Sequence, residues 1–171
     1  MKMLTTQIGG LLQRIVANED SMIEETARLL AQATIGEGRV IFAGFNGLDA
    51  VTENALQGAE QFCGAVRYRV GMEISSADRV WILTRFATDS DALELAHVLA
   101  SRFIPFATLA ADKPGEDNEL ATLSYTYIST GLMKGLLPDE DGGRIVQPHA
   151  LAALFVYEAL KMEYDDMVKD D

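Results

Sequence analysis

Short apolar runs at residues 39–43 (RVIFA), 79–84 (RVWILT) and 105–110 (PFATLA) recur along the chain with helical segments between them. Runs of this length, bounded by turn residues, read as strands buried on both faces. Such strands need helices on either side, and a strand-helix-strand unit closes by a right-handed crossover, so the sheet is expected to be mostly parallel. Residues 65–70 (AVRYRV) alternate apolar and basic side chains and predict an edge strand wetted on one face. Residues 123–128 supply a fifth strand, and residues 48–60 and 89–103 are the intervening helices, the second with Leu93, Ala96, Leu99 and Ala100 inward.

The flanks are helical. Leu4, Ile8, Leu11, Leu12, Ile15 and Val16 recur at spacings of three and four and form one apolar face. The pattern breaks at residues 18–20, and Ser21 with Glu24 makes a capping box that predicts a second helix, ended by Gly36-Glu37-Gly38. Pro148 opens a last helix that runs to about Met162. The expectation is α/β: a three-layer α/β/α sandwich around a five-stranded flavodoxin-like sheet. It forms one domain over residues 1–171, with an N-terminal helical segment at 1–34, a core at 35–164 and a frayed tail at 165–171. Two apolar helical faces exceed what one side of a small sheet needs, so Leu4, Ile8, Leu11, Leu12 and Ile15 are expected to help hold a homo-oligomer.

Charge limits the partners. Acidic residues number 26 against 14 basic, a formal net charge of −12, which disfavours a nucleic-acid backbone. Cys63 is the single cysteine, and His97 and His149 are the two histidines, so neither a disulfide nor a zinc cluster is expected. No metal and no cofactor is called for. Gln7, Gln13 and Arg14 interrupt the first apolar segment, and no run reaches the roughly 18 apolar residues of a membrane span, so no signal peptide and no membrane partner is expected. A reducing, cytoplasmic location fits.

In parallel α/β sheets ligands bind beyond the carboxyl ends of the strands where the winding reverses, which directs attention to the loops after Ala43 and Thr84. Gly44, Asn46 and Gly47 form a strand-to-helix turn. Its amides and helix dipole can receive an anion, or the glycines can permit a tight turn while Asn46 caps the helix. Thr88 with Asp91 can cap the next helix, and Asp89 and Asp91 compete with any phosphate for the field of that helix end. Arg85 can grip a phosphate or carboxylate, or pair with Asp89 or Asp91. His149 can shuttle protons or be an ordinary polar residue at a helix start. His97 reads as structural, and Cys63 as a buried or idle thiol.

These loops resemble those of sugar-isomerase (SIS) domains. A turn of the form GNGGSA corresponds to Gly44-Phe45-Asn46-Gly47-Leu48-Asp49, a loop of the form STSGNS to Thr84-Arg85-Phe86-Ala87-Thr88-Asp89, and the RIQEVH of the phosphoheptose isomerase branch to Arg144-Ile145-Val146-Gln147-Pro148-His149. The resemblance implies a phosphosugar-binding protein that is a homodimer or tetramer. It places a sugar phosphate or related anion among Gly44, Asn46, Gly47, Thr84, Arg85, Thr88 and Asp89, with His149 at the position of a catalytic histidine. The motifs are degenerate: Leu48 stands for a phosphate-binding serine, Asp89 for another serine, and Gln57 for the glutamate, so a sensor or degenerate isomerase is expected ahead of an active sedoheptulose 7-phosphate isomerase or a ligand-free interaction module.

Overall fold

In the computed structural model, which describes residues 1–169, five parallel strands lie in the order β2-β1-β3-β4-β5. They are β1 (Val40–Gly44), β2 (Ala65–Arg67), β3 (Arg79–Leu83), β4 (Phe106–Ala110) and β5 (Thr126–Ser129). The pleat divides their side chains between two cores. Val40, Phe42, Trp81, Leu83, Leu109 and Ile128 face α1 (Lys2–Ile35), α2 (Asp49–Gln57) and α5 (His149–Lys169). Ile41, Ala43, Val80, Ile82, Phe106 and Tyr127 face α3 (Ser90–Ser101) and α4 (Glu119–Leu123). The expected three-layer sandwich is therefore the observed one.

The N-terminal segment differs from expectation. One helix of 34 residues, about 50 Å long at 1.5 Å per residue, replaces the two that were expected, and Ser21 lies inside it rather than capping anything. Leu11, Ile15, Ile23, Ala27 and Leu30 form a buried stripe with Glu19 in its middle. The carboxylate of Glu19 accepts the amide of Ser129 at the end of β5, which lets the helix continue through an apparently polar break. Burial raises the carboxyl's pKa and that hydrogen bond works against the rise. Leu11 and Ile15 are covered by this chain's own core, so they are not available to a second subunit; Ile8 and Leu12 are half-buried against the same core.

Other boundaries shift. The edge strand β2 stops at Arg67, and α2 stops at Gln57. A short helix, α4, ends at Leu123, where the fifth strand was expected to begin, so that the strand starts at Thr126, and the loop at 138–143 proves to be the tip of a hairpin of β6 (Leu137–Pro138) and β7 (Arg144–Ile145). The last helix runs to Lys169, so residues 165–169 of the expected tail are helical; residues 170 and 171 lie outside the described part.

At the amino ends of the central strands, Asp78 is 2% exposed and accepts hydrogen bonds from the amide and guanidinium of Arg39 and the amide of Ser75. Burial opposes its charged form, but those bonds prevail and hold the carboxyl well below the usual range. At the carboxyl ends the chain must turn sharply from β1 into α2. A Cβ on Gly44 would lie 2.6 Å from the Cα and amide nitrogen of Asp49, so only glycine fits there. Gly44→Ala is expected to lower unfolding stability by about 1–3 kcal/mol, read from urea denaturation. Gly115→Ala, where a Cβ meets nothing within 4 Å, serves as the near-neutral control.

Candidate functional site

The loops after β1 and β3 end side by side because these strands pair in parallel from Val40↔Arg79 to Gly44↔Leu83. After β1 the backbone turns through Asn46 (φ 53°) and Gly47 (φ 87°), both in the left-handed region that Asn and Gly tolerate best. Their amides have no acceptor among the described residues. Leu48, buried, occupies the position before α2 and offers no side-chain cap. Asn46 therefore does not cap α2, as one reading of the sequence had it; its side-chain amide reaches across and donates to Asp89.

Asp89 is the centre of the second loop. Its side chain caps α3, accepting the amides of Asp91 at 3.0 Å and Ala92 at 3.3 Å. It also accepts the hydroxyl of the fully buried Thr84 at 2.9 Å, in addition to the Asn46 amide. The expected cap, Thr88, is exposed and lines a separate depression with Leu93 and Asp112. An Asp side chain reaches the N2 and N3 amides from the residue before the helix, and α3 begins one residue later than a Thr88 cap would require.

Beside these loops lies a cleft of about 590 Å³, lined by Asn46, Gly47, Leu48, Arg85, Arg144 and residues 145–150. Arg85 is exposed and, among the described residues, has no carboxylate within ion-pair distance, so the expected pairing with Asp89 or Asp91 is not formed. Arg144 is oriented by the hairpin: its guanidinium donates to the carbonyls of Gly135 at 2.6 Å and Leu136 at 2.7 Å, and it has no carboxylate partner among the described residues. His149, in the first turn of α5, is 6% exposed and packs edge-on against Phe86 with ring centroids 5.2 Å apart. Its Nε2 is buried with no hydrogen-bond partner. Burial and then the nearby charge of Arg85 push its pKa below the ordinary value, so the imidazole is neutral at pH 7. Val146, which leads into this helix, has φ 65°, an unusual conformation for a β-branched residue.

Of the residues singled out in the sequence, the cleft gathers Asn46, Gly47, Arg85 and His149. Gly44 serves the turn, Thr84 and Asp89 bind each other, and Thr88 faces elsewhere. Gln57 lies at the far end of α2, eight residues or about 12 Å along the helix from its start, and does not line the cleft. His97 pairs with Glu119 across two exposed side chains, and the Cys63 thiol is exposed rather than buried. Sequence reasoning passed over Arg144 as a ligand, although it opens the very hexapeptide that pointed to His149.

The layers, the strand order and the loops at the winding reversal define an α/β protein with the fold of a sugar-isomerase (SIS) domain. A Bacteroides fragilis protein described as a proposed phosphosugar isomerase involved in capsule formation superposes with a TM-score of 0.71 at 11% identity, over 96% of this chain and 90% of that one. The Vibrio vulnificus NanR protein, solved in complex with ManNAc-6P, gives 0.63 at 14% identity over 97% of this chain and 64% of its own. By sequence, the chain belongs to the family described as Domain of unknown function (DUF2529), whose model matches residues 1–168. The chain is also 30% identical over 173 residues to the uncharacterized protein YwjG of Bacillus subtilis (strain 168), covering 99% of this chain and 98% of that protein.

The buried imidazole makes stability depend on pH. Unfolded, His149 takes a proton near its ordinary value of 6.5; folded, it resists until lower pH, so the unfolded state binds more protons between the two values and stability falls as pH drops below about 6.5. The melting temperature is expected to fall between pH 7.5 and 5.5, and His149→Asn is expected to flatten that slope. Imidazole NMR titration gives the direct check, since a His149 pKa at or above 6.5 contradicts the assignment.

Proposed function

We propose that this chain binds a sugar phosphate or a related small anion in the cleft, as a sensor or degenerate isomerase. The observation that carries the reading is chemical. In a chain with 26 acidic and 14 basic residues, two arginines that have no carboxylate partner among the described residues converge on one cleft with a buried, neutral imidazole whose Nε2 likewise has no partner among them. Unpaired guanidinium groups beside free backbone amides suit a phosphate or carboxylate. The likeness to NanR, which was solved with a phosphorylated sugar, is consistent with this use of the fold.

An active sedoheptulose 7-phosphate isomerase is the second reading, favoured by His149 in the first turn of α5. Against it, no carboxylate among the described residues lines the cleft, and Gln57 is remote from it. An unfilled acid or base commonly costs about 10²–10⁴-fold in rate, so turnover is expected to be weak and to depend on His149. A ligand-free interaction module loses its main support, because the first helix's apolar face packs mostly within the chain. A homodimer or tetramer in the cytoplasm remains part of the proposal, carried by the resemblance to SIS domains.

Thermal shift across a panel of sugar phosphates tests the reading. Stabilisation by at least one member, lost in Arg85→Ala, is expected; an unmoved melting temperature across the panel at millimolar ligand would sink it. A coupled assay on sedoheptulose 7-phosphate separates the second reading. Turnover in the ordinary enzymatic range of about 1–10³ per second, abolished in His149→Ala, would establish an isomerase instead.

A further inference from the structure

We propose that the seat for an anion at the start of α3 is permanently filled by the chain's own Asp89 carboxylate, and that the ligand's anionic group docks at the opposite side of the cleft, on Arg85, Arg144 and the first turn of α5. This rests on the reading of the cleft as an anion site and goes further by fixing which end of it holds the charge.

The start of α3 has what an anion needs: two free helix amides, a buried hydroxyl and a side-chain amide. All four donors are spent on Asp89, through Asp91, Ala92, Thr84 and Asn46. A phosphate approaching that end would have to displace a carboxylate tethered at a fixed distance, and would meet its negative charge if it did not. The α5 end is the reverse. Pro148 has no N–H, and the amides of Ala150 and Leu151 have no acceptor among the described residues. His149, 6% exposed, lines the same cleft, and its buried Nε2 has no partner among the described residues. Arg144 is held by two carbonyls in a fixed orientation, and Arg85 is uncommitted. Helix amides, two guanidinium groups and a neutral imidazole that can donate form a built anion seat of the kind occupied at the other end by Asp89.

A ligand so placed carries its phosphate or carboxylate against the arginines and turns its uncharged body toward Asn46 and Gly47. The shared chemistry is a single oxyanion on a small polar molecule, and phosphate and carboxylate sources are separable by probe.

Isothermal titration of the full-length protein with glucose 6-phosphate, inorganic phosphate and gluconate tests the assignment. Arg85→Ala and Arg144→Gln are each expected to weaken the best-bound probe at least tenfold, and its addition is expected to shift the His149 imidazole resonances. Asp89→Ser is expected to lower the melting temperature without tightening binding. If Asp89→Ser binds tenfold tighter while Arg85→Ala binds like the parent, the charge sits at α3; the anion reading then stands and this assignment falls. If no probe binds at millimolar concentration, both fall. Should Arg144→Gln fail to fold by circular dichroism, Arg85→Ala and the His149 resonances still decide, because unmoved resonances under saturating probe overturn the assignment.

Discussion

The parallel pairing of β1 with β3 is the contact on which the rest of the molecule hangs. From this pair the chain winds outward in both directions, to β2 on one side and to β4 and β5 on the other. The two strands are clamped at their amino ends by Asp78 and Arg39, and at their carboxyl ends the loops they feed are tied together through Asp89. Because the crossovers leave the pair on opposite faces, nothing crosses above it, and a crevice opens there of necessity. The cleft is therefore a product of topology before it is a product of side chains.

What fills that crevice is a balance of charge. The chain places a carboxylate where the amides of α3 and two further donors converge, and it places arginines without acidic partners among the described residues and a neutral histidine where α5 begins. Arg85 and Arg144 meet in one concavity without a carboxylate partner among the described residues, whereas Arg28 pairs with Glu24 and Glu25, and Arg67 with Asp49 and Glu53. Burial of His149 beside one of these arginines keeps it neutral, so the imidazole adds a hydrogen-bonding group to the site without adding another charge.

The single long helix α1 supports the far half of the sheet. It packs along α5 and against β5, and the polar residues on its inner side are satisfied by β5, Glu19 by the amide of Ser129 and the buried Thr26 by the hydroxyl of Thr126. The apolar surface that reads as surplus when the helix is considered alone is used inside the molecule, since α5 runs to Lys169 and covers more of it than a shorter last helix would.

The sequence by itself determined the buried strands, the helices between them and the sandwich they build, because apolar periodicity and glycine turns are local signals that survive without tertiary context. It also pointed to Asn46, Gly47, Arg85 and His149, since loops at the carboxyl ends of parallel strands are identifiable once the strands are. Only the tertiary structure decided that Asp89 and not Thr88 caps α3, that Asn46 serves the neighbouring loop and not its own helix, that Arg85 stays unpaired and that Arg144 joins it. The reach of Asn46 to Asp89 and the meeting of Arg85 with Arg144 depend on distances between residues some 40 to 60 positions apart along the chain, which pattern does not carry, and the choice of cap depends on where α3 begins. The continuity of α1 belongs to the same class: Asn18, Glu19 and Asp20 read as a break until the amide of Ser129, more than a hundred residues away, is brought within reach of Glu19.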